Sequence, residues 1–232
     1  MRDVPELLVL HTLRLTGVAG PEVLAGRLGS SVEVLQPVLA HHAERGLVTH
    51  HRGGLPGWSL TVAGRARGEE LLAEELVALS ARGVAEACYE RFVALNGQVL
   101  RACTDWQVVA GSDPLTLNEH ADAAYDREVL DRLCVLHGAA VELLEELTSA
   151  LARFGGYRGR LSNALARARE GGVDWVTRPV IDSYHTVWFE LHEDLLATLG
   201  RTRSAERGTR GAERARRHGA STTGRTRQGE RR

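Results

Sequence analysis

AGRLGSSVEVLQPVLAHHAERGLVTHHRGGLPGWSLT, residues 25–61, is the stretch whose reading decides the fold. Just before and into it, Leu24 to Arg27 close a short helix that ends at Leu28-Gly29. Glycine at 29 tolerates the positive φ of a tight corner between two helices. Ser30 and Ser31 are good N-caps, and Val34, Leu35, Val38, Leu39 and His42 follow with the 3.6-residue period of a second helix. Arg45-Gly46 stops that helix, with a cation at its negative end and glycine beyond. Leu47–His50 and Trp58–Thr61 read as short strands around the Gly- and Pro-rich loop 52–57. Thr61 is placed to cap another helix, running from Gly64 to Ala81.

The order helix, corner, helix, strand, loop, strand, helix resembles the winged helix-turn-helix transcriptional regulators of the MarR-like kind. The pieces that carry the likeness are LAGRLGSS (24–31), AERGLV (43–48) and GWSLTVAGRAR (57–67), so it covers about the first third of the chain. The resemblance implies a DNA-binding unit at 1–68 whose second helix reads double-stranded DNA. Ser30, Ser31, Gln36, His41 and Arg45 would face the major groove, and Arg52 would sit in the wing. It also implies a homodimer built by the long helices that leave the wing. The residues themselves give only weak electrostatic support. Groove readers usually present Arg, Lys, Asn or Gln early in the helix, whereas this one offers Ser30, Ser31, Glu33 and Gln36, with Pro37 interrupting the middle. The competing reading is a winged helix kept as a protein-interaction module.

Composition sets the outer bounds. The chain has 232 residues, 43% hydrophobic and 25% charged, which is ordinary for a globular protein of one or two domains. All 29 basic residues are arginine, the bias of a GC-rich genome of actinobacterial type. Cys88, Cys103 and Cys134 are odd in number and widely spaced, which fits reduced thiols rather than a disulfide framework. No apolar run approaches the length of a membrane span and no secretory leader opens the sequence, so a cytoplasmic protein away from membranes is expected. The net charge of −1 hides an asymmetry. Residues 1–68 hold 7 Arg against 5 acidic residues, residues 69–200 hold 11 against 22, and residues 201–232 hold 11 against 3. The last segment has no aliphatic side chain beyond alanine and is expected to be a disordered basic tail with some attraction for nucleic acid.

Periodicity places the remaining elements. Val4–Leu15 is the first helix, with His11 in its apolar pattern, more simply a packed core residue than a ligand. Pro21–Leu28 is the second. Beyond the wing, 64–81, 84–105, 123–154, 157–169 and 179–199 all read as helices, with Gly83 a joint and Gly155-Gly156 ending the longest. Asn118 or Asp122 caps the helix after the loop Ser112–Glu119. The architecture is therefore mainly α: an N-terminal winged helix-turn-helix at 1–68, an all-helical domain for dimerisation and effector binding at 69–200, and the tail at 201–232.

Asp174–Glu193, DWVTRPVIDSYHTVWFELHE, is the richest segment chemically. On a continuous helix, Asp182, His185, Trp188 and His192 share a face, and Arg178 lies near its N-terminus. Three readings stay open: a pocket for a small anionic effector, a core of satisfied histidines and aromatics, and a metal site that draws on His120 or His137. The metal reading is the weakest, because His185 and His192 lie two turns apart, about 10.5 Å along a helix. The pairs His41-His42 and His50-His51 are no better, since adjacent residues diverge on a helix or a strand. No metal or other cofactor is therefore expected. There is no phosphate-binding glycine loop, no nucleophile elbow and no Cys-x-x-Cys pair, so the chain does not read as an enzyme. A ligand-responsive DNA-binding regulator leads, and a non-DNA adaptor is the alternative.

Overall fold

The computed structural model describes residues 4–54, 56–109, 111 and 116–202. Those residues are mainly helical, with one two-stranded antiparallel sheet. α1 (Glu6–Thr16) leads to α2 (Pro21–Leu28), and Gly29 at φ 60° turns the chain into α3 (Val32–Glu44). Ser31 caps α3 by accepting from the Val34 N–H at 3.4 Å, and Arg45 closes it. Pro37 neither ends nor divides the helix. Its missing N–H deprives the Glu33 carbonyl of a partner, but both residues are exposed, so water can serve instead.

β1 (Val48–His51) pairs with β2 (Gly57–Leu60), Val48 opposite Leu60 and His50 opposite Trp58. Both strands are offset by one residue from the expected bounds. Ala19, between α1 and α2, adds a one-residue bridge to Trp58 with N···O distances of 2.8 and 3.0 Å. A side chain at Gly57 would put its Cβ 2.7 Å from the Ala19 carbonyl oxygen, so glycine admits this third edge to the sheet. Thr61 caps α4 (Val62–Ala78) as expected, accepting from the Gly64 N–H at 3.0 Å.

A sharp turn at 79–81, where Ser80 takes a positive φ, separates α4 from α5 (Arg82–Gln107). The joint therefore falls before Gly83, which is inside α5. Asp122 caps α6 (Ala123–Ala150), accepting from the Ala124 and Tyr125 N–H groups. α5 and α6 pack antiparallel, as the ion pairs Arg91–Glu146 and Asp105–Arg132 at opposite ends record. The expected break at Gly155-Gly156 comes earlier. Leu151 and Phe154, both fully buried, pull the chain inward through a single 3-10 turn (Ala152–Phe154), and α7 (Gly155–Arg169) starts on the two glycines. The expected helix 179–199 is also shorter. Pro179 holds Arg178 extended, so a short α8 (Asp174–Thr177) stops there and α9 (Tyr184–Thr198) begins only after Ser183 caps it.

Two apolar clusters form. The smaller joins Leu10 and Leu13 of α1, Leu24 of α2, Leu35 and Leu39 of α3, and Val48 of β1. The larger gathers α5, α6, α7 and α9 around Phe92, Leu133, Phe154 and Trp188. α9 contacts α1, α4, α5, α7 and α8, so the last helix touches elements of both clusters. Its apolar Leu191 and Leu195 are buried, and so are the polar Glu190, His192 and Asp194. All three cysteines are free, and burial pushes the Cys103 thiol up to about 12. No helix among the described residues is long and apolar enough to cross a membrane. Residues 203–232, which hold nearly all of the expected tail, lie outside the described residues.

Candidate functional site

The outward face of α3 comes first. Leu35, Leu39 and His42 face the core, which leaves Glu33, Gln36, Pro37, Ala40, His41 and Glu44 exposed. Among the residues expected to read DNA, Gln36, His41, Arg45 and Arg52 are exposed, Ser30 is half-buried and Ser31 serves as the cap. Arg45 is engaged by Glu6, which also accepts from Arg67 Nε at 3.1 Å. The Arg45 hydrogen bond holds the Glu6 carboxyl below the usual carboxylate range, against the effect of burial. This cluster ties α1, the end of α3 and α4 together. On the hairpin, His50 packs on Trp58 with ring centroids 4.7 Å apart, and His51 Nε2 lies 2.8 Å from Ser59 Oγ.

The second region lies around α9, and the residues expected to form one pocket disperse there. Arg178 is exposed and paired with Asp174. Trp188 is in the larger core, donating to Asn96 Oδ1 at 2.9 Å and stacking on Phe92. His192 is buried against Phe92 and Tyr89. His185 is half-buried on a different part of the helix. Asp182 precedes α9, so it escapes the helical face altogether and accepts two hydrogen bonds from Arg160, at 2.8 and 2.9 Å. Of the set, Asp182 alone borders the polar cleft described next. His137 engages Ser162 and Tyr184, His120 engages Asp126, and no group of three ligating side chains is placed to share a metal ion among the described residues.

Sequence reading missed the residues that come together instead. Arg153, at 4% side-chain exposure, donates to Asp194, to Glu75 Oε2 at 2.8 Å and to Thr198. Asp194, at 3% exposure, also meets His11 Nε2 at 2.8 Å and accepts from the Tyr157 hydroxyl at 2.9 Å. Burial opposes the Asp194 charge, but the Arg153 guanidinium and His11 outweigh it and hold the carboxyl far below its usual range. One helical turn away on the same face, Arg160 and Arg27 converge on Glu190. Burial also works against the Glu190 charge, and hydrogen bonds from Arg160 again lower its carboxyl. Hydrogen bonds from Arg160 likewise hold the Asp182 carboxyl low.

These groups belong to seven separate segments: α1, α2, α4, the turn before α7, α7 itself, the stretch before α9 and α9. The local clue is the pair Glu190 and Asp194, four apart on one face of α9. They bound a cleft of about 560 Å³ between α1 and α2 on one side and α7 and α9 on the other. The arrangement offers a polar floor and an apolar wall. Set against protein-family models, curated proteins and solved structures, the chain matches none.

Proposed function

We propose that the chain is a ligand-responsive, DNA-binding transcriptional regulator with an N-terminal winged helix-turn-helix. The observation that carries this reading is the α2–corner–α3–hairpin unit. It packs one face of α3 into its own core and leaves Gln36, Ala40 and His41 outward. The one-residue Ala19–Trp58 bridge braces the hairpin, which supports reading it as a wing, and His50, His51 and Arg52 are exposed on it. A homodimer belongs to the same reading, since two copies would meet the two half-sites of a palindromic operator. The cleft beside α2 offers a place from which a ligand would act on the corner before α3.

A specific observation favours the second reading, a protein-binding adaptor. The exposed face of α3 carries Glu33 and Glu44, and Arg45 is held by Glu6 rather than standing clear. A surface of that charge gains little from phosphate contacts.

Fluorescence anisotropy separates the two. Full-length protein is titrated onto its own upstream DNA and onto scrambled DNA across a salt series, beside a variant whose arginines beyond residue 202 are replaced by glutamine. Selective binding that persists in the variant, and falls at least about tenfold on Gln36→Ala or Arg52→Ala, is expected of a regulator. Binding that is unselective and vanishes with the tail arginines would overturn it in favour of the adaptor.

A further inference from the structure

Glu6, in the first turn of α1, stands where α1, the end of α3 and α4 meet, and it holds the arginine that closes α3. Arg45 keeps 41% of its side chain exposed, yet its guanidinium is turned to the Glu6 carboxylate through Nη1 and, at 3.5 Å, Nη2. Among the described residues Glu6 is its only ion-pair partner. Glu6 also accepts from Arg67 Nε of α4 at 3.1 Å, and Arg67 is anchored in turn by Glu70 and Glu74, at 3.1 and 3.2 Å. Beneath this cluster lies His42 of α3. Its side chain is 4% exposed, and neither ring nitrogen has a hydrogen-bond partner among the described residues. Nδ1 stands 3.9 Å from Glu6 Oε2. The charged or titratable groups acting on the ring are Glu6 from α1, Arg45 from beyond α3 and His41 on its own helix, with Arg67 of α4 joined to Glu6. Burial holds the ring's pKa below the ordinary histidine value, against the pull of Glu6, so the ring is neutral at neutral pH.

A proton on His42 changes what surrounds one carboxylate. Glu6 then faces three cations instead of two, and the imidazolium repels the Arg45 guanidinium that meets the same Oε2. The three are not equally free to leave. His42 is enclosed, Arg67 is held by two further carboxylates, and Arg45 is part-exposed with no second ion-pair partner. Arg45 is therefore the one displaced. We propose that the Glu6–Arg45 contact is an autoinhibitory latch, in which Glu6 takes the place of a DNA phosphate on Arg45 and protonation of His42 opens it. The consequence for DNA rests on the function proposed above, whereas the latch operates in the free protein, so the two fail separately.

NMR of the free full-length protein tests the latch and needs no variant. Hydrogen exchange at Arg45 Nε–H, taken relative to the exposed Arg52 so that the intrinsic pH dependence cancels, should accelerate as the His42 ring titrates. Anisotropy on a duplex of the protein's own upstream DNA tests the consequence. At about pH 8, Glu6→Gln should tighten binding about two- to fivefold and steepen the log–log salt dependence by about 0.9, the share of one phosphate. The gain should vanish in an Arg45→Gln background, which separates a freed guanidinium from the mere loss of a negative charge. At about pH 5 the advantage of Glu6→Gln over the parent should shrink towards one, and it should persist in a His42→Leu background. His41, His50 and His51 cancel from that ratio, since both proteins carry them. An exchange ratio that ignores the ring's titration overturns the latch. So does a Glu6→Gln variant that binds DNA no better than the parent at pH 8, keeps its gain without Arg45, or keeps its advantage in acid with His42 present. If the exchange ratio responds and no duplex binds parent or variant, the latch stands and the regulator reading fails.

Discussion

Arg153 is the residue on which most depends. It is an arginine placed where an apolar side chain would ordinarily go, between the fully buried Leu151 and Phe154. A buried guanidinium survives only when carboxylates and acceptors surround it, and here Asp194, Glu75 and Thr198 do so. Removing either half strands the other. Arg153→Met should therefore lower unfolding stability by about 3–5 kcal/mol, read as a shift of the urea midpoint with the slope unchanged. A loss under about 1 kcal/mol would mean that water reaches Asp194 and that the pair is not sealed. In the sequence, Arg153 gave no sign of this role, since LARFGG looks like the polar end of a helix. His11 did give a sign: its place in an apolar stripe predicted burial, and it is buried. Its partner Asp194 lies far along the chain and could not be named from spacing.

At the scale of the element, α4 contains two glycines with opposite meanings. Gly64 lets the first turn of α4 press against the end of α3 and the start of β1, and a Cβ there would fall 1.8 Å from the Leu47 carbonyl oxygen. One turn on, a Cβ at Gly68 would lie 3.7 Å from Leu10 Cβ, an ordinary contact. Gly64→Ala should thus cost about 2–3 kcal/mol through overpacking against backbone, while Gly68→Ala should be neutral or stabilising by about 0.5–1 kcal/mol. Thermal unfolding of the two variants checks the pair. Both glycines look alike to a propensity argument; the difference lies in what stands opposite, which local sequence does not encode. Caps and stops behaved otherwise. Ser31, Thr61 and Asp122 cap their helices as their chemistry suggests, because a cap bonds only to its own neighbours.

For the molecule as a whole, polar contacts tie the helices of the two apolar clusters together: Arg27 to Glu190, His11 to Asp194 and Arg153 to Glu75. Asp182, Glu190 and Asp194 all have carboxyls held low, so the folded state binds fewer protons in acid than the unfolded chain. Their stabilisation is full above the unfolded value, about 4, and is lost as pH falls below it. His42 and His137 act in the same direction but earlier. Burial lowers both, so the stability they contribute is full above about 6.5 and declines as the pH drops. The urea midpoint should accordingly fall in two stages between pH 8 and pH 3, and His42→Leu should flatten the upper one. A midpoint independent of pH between 7 and 5 in the parent protein would contradict the burial of these rings.

The sequence by itself determined the succession of elements from α1 to α4, the hairpin, the caps and the helical character of the rest. Each of these is decided by interactions within a few residues: apolar period, cap chemistry, and glycine or proline at a turn. Only the tertiary structure decided where α9 starts, which of its faces is buried, and which polar groups share the cleft. α9 is enclosed by five other helices, so an amphipathic stripe has no single inside to point to. His185, Trp188 and His192 dispersed for that reason, and Asp182 because it precedes the helix. The cluster of His11, Arg153, Asp194 and Tyr157 formed because residues up to 183 positions apart were brought together, a juxtaposition that periodicity, which relates only near neighbours, does not express.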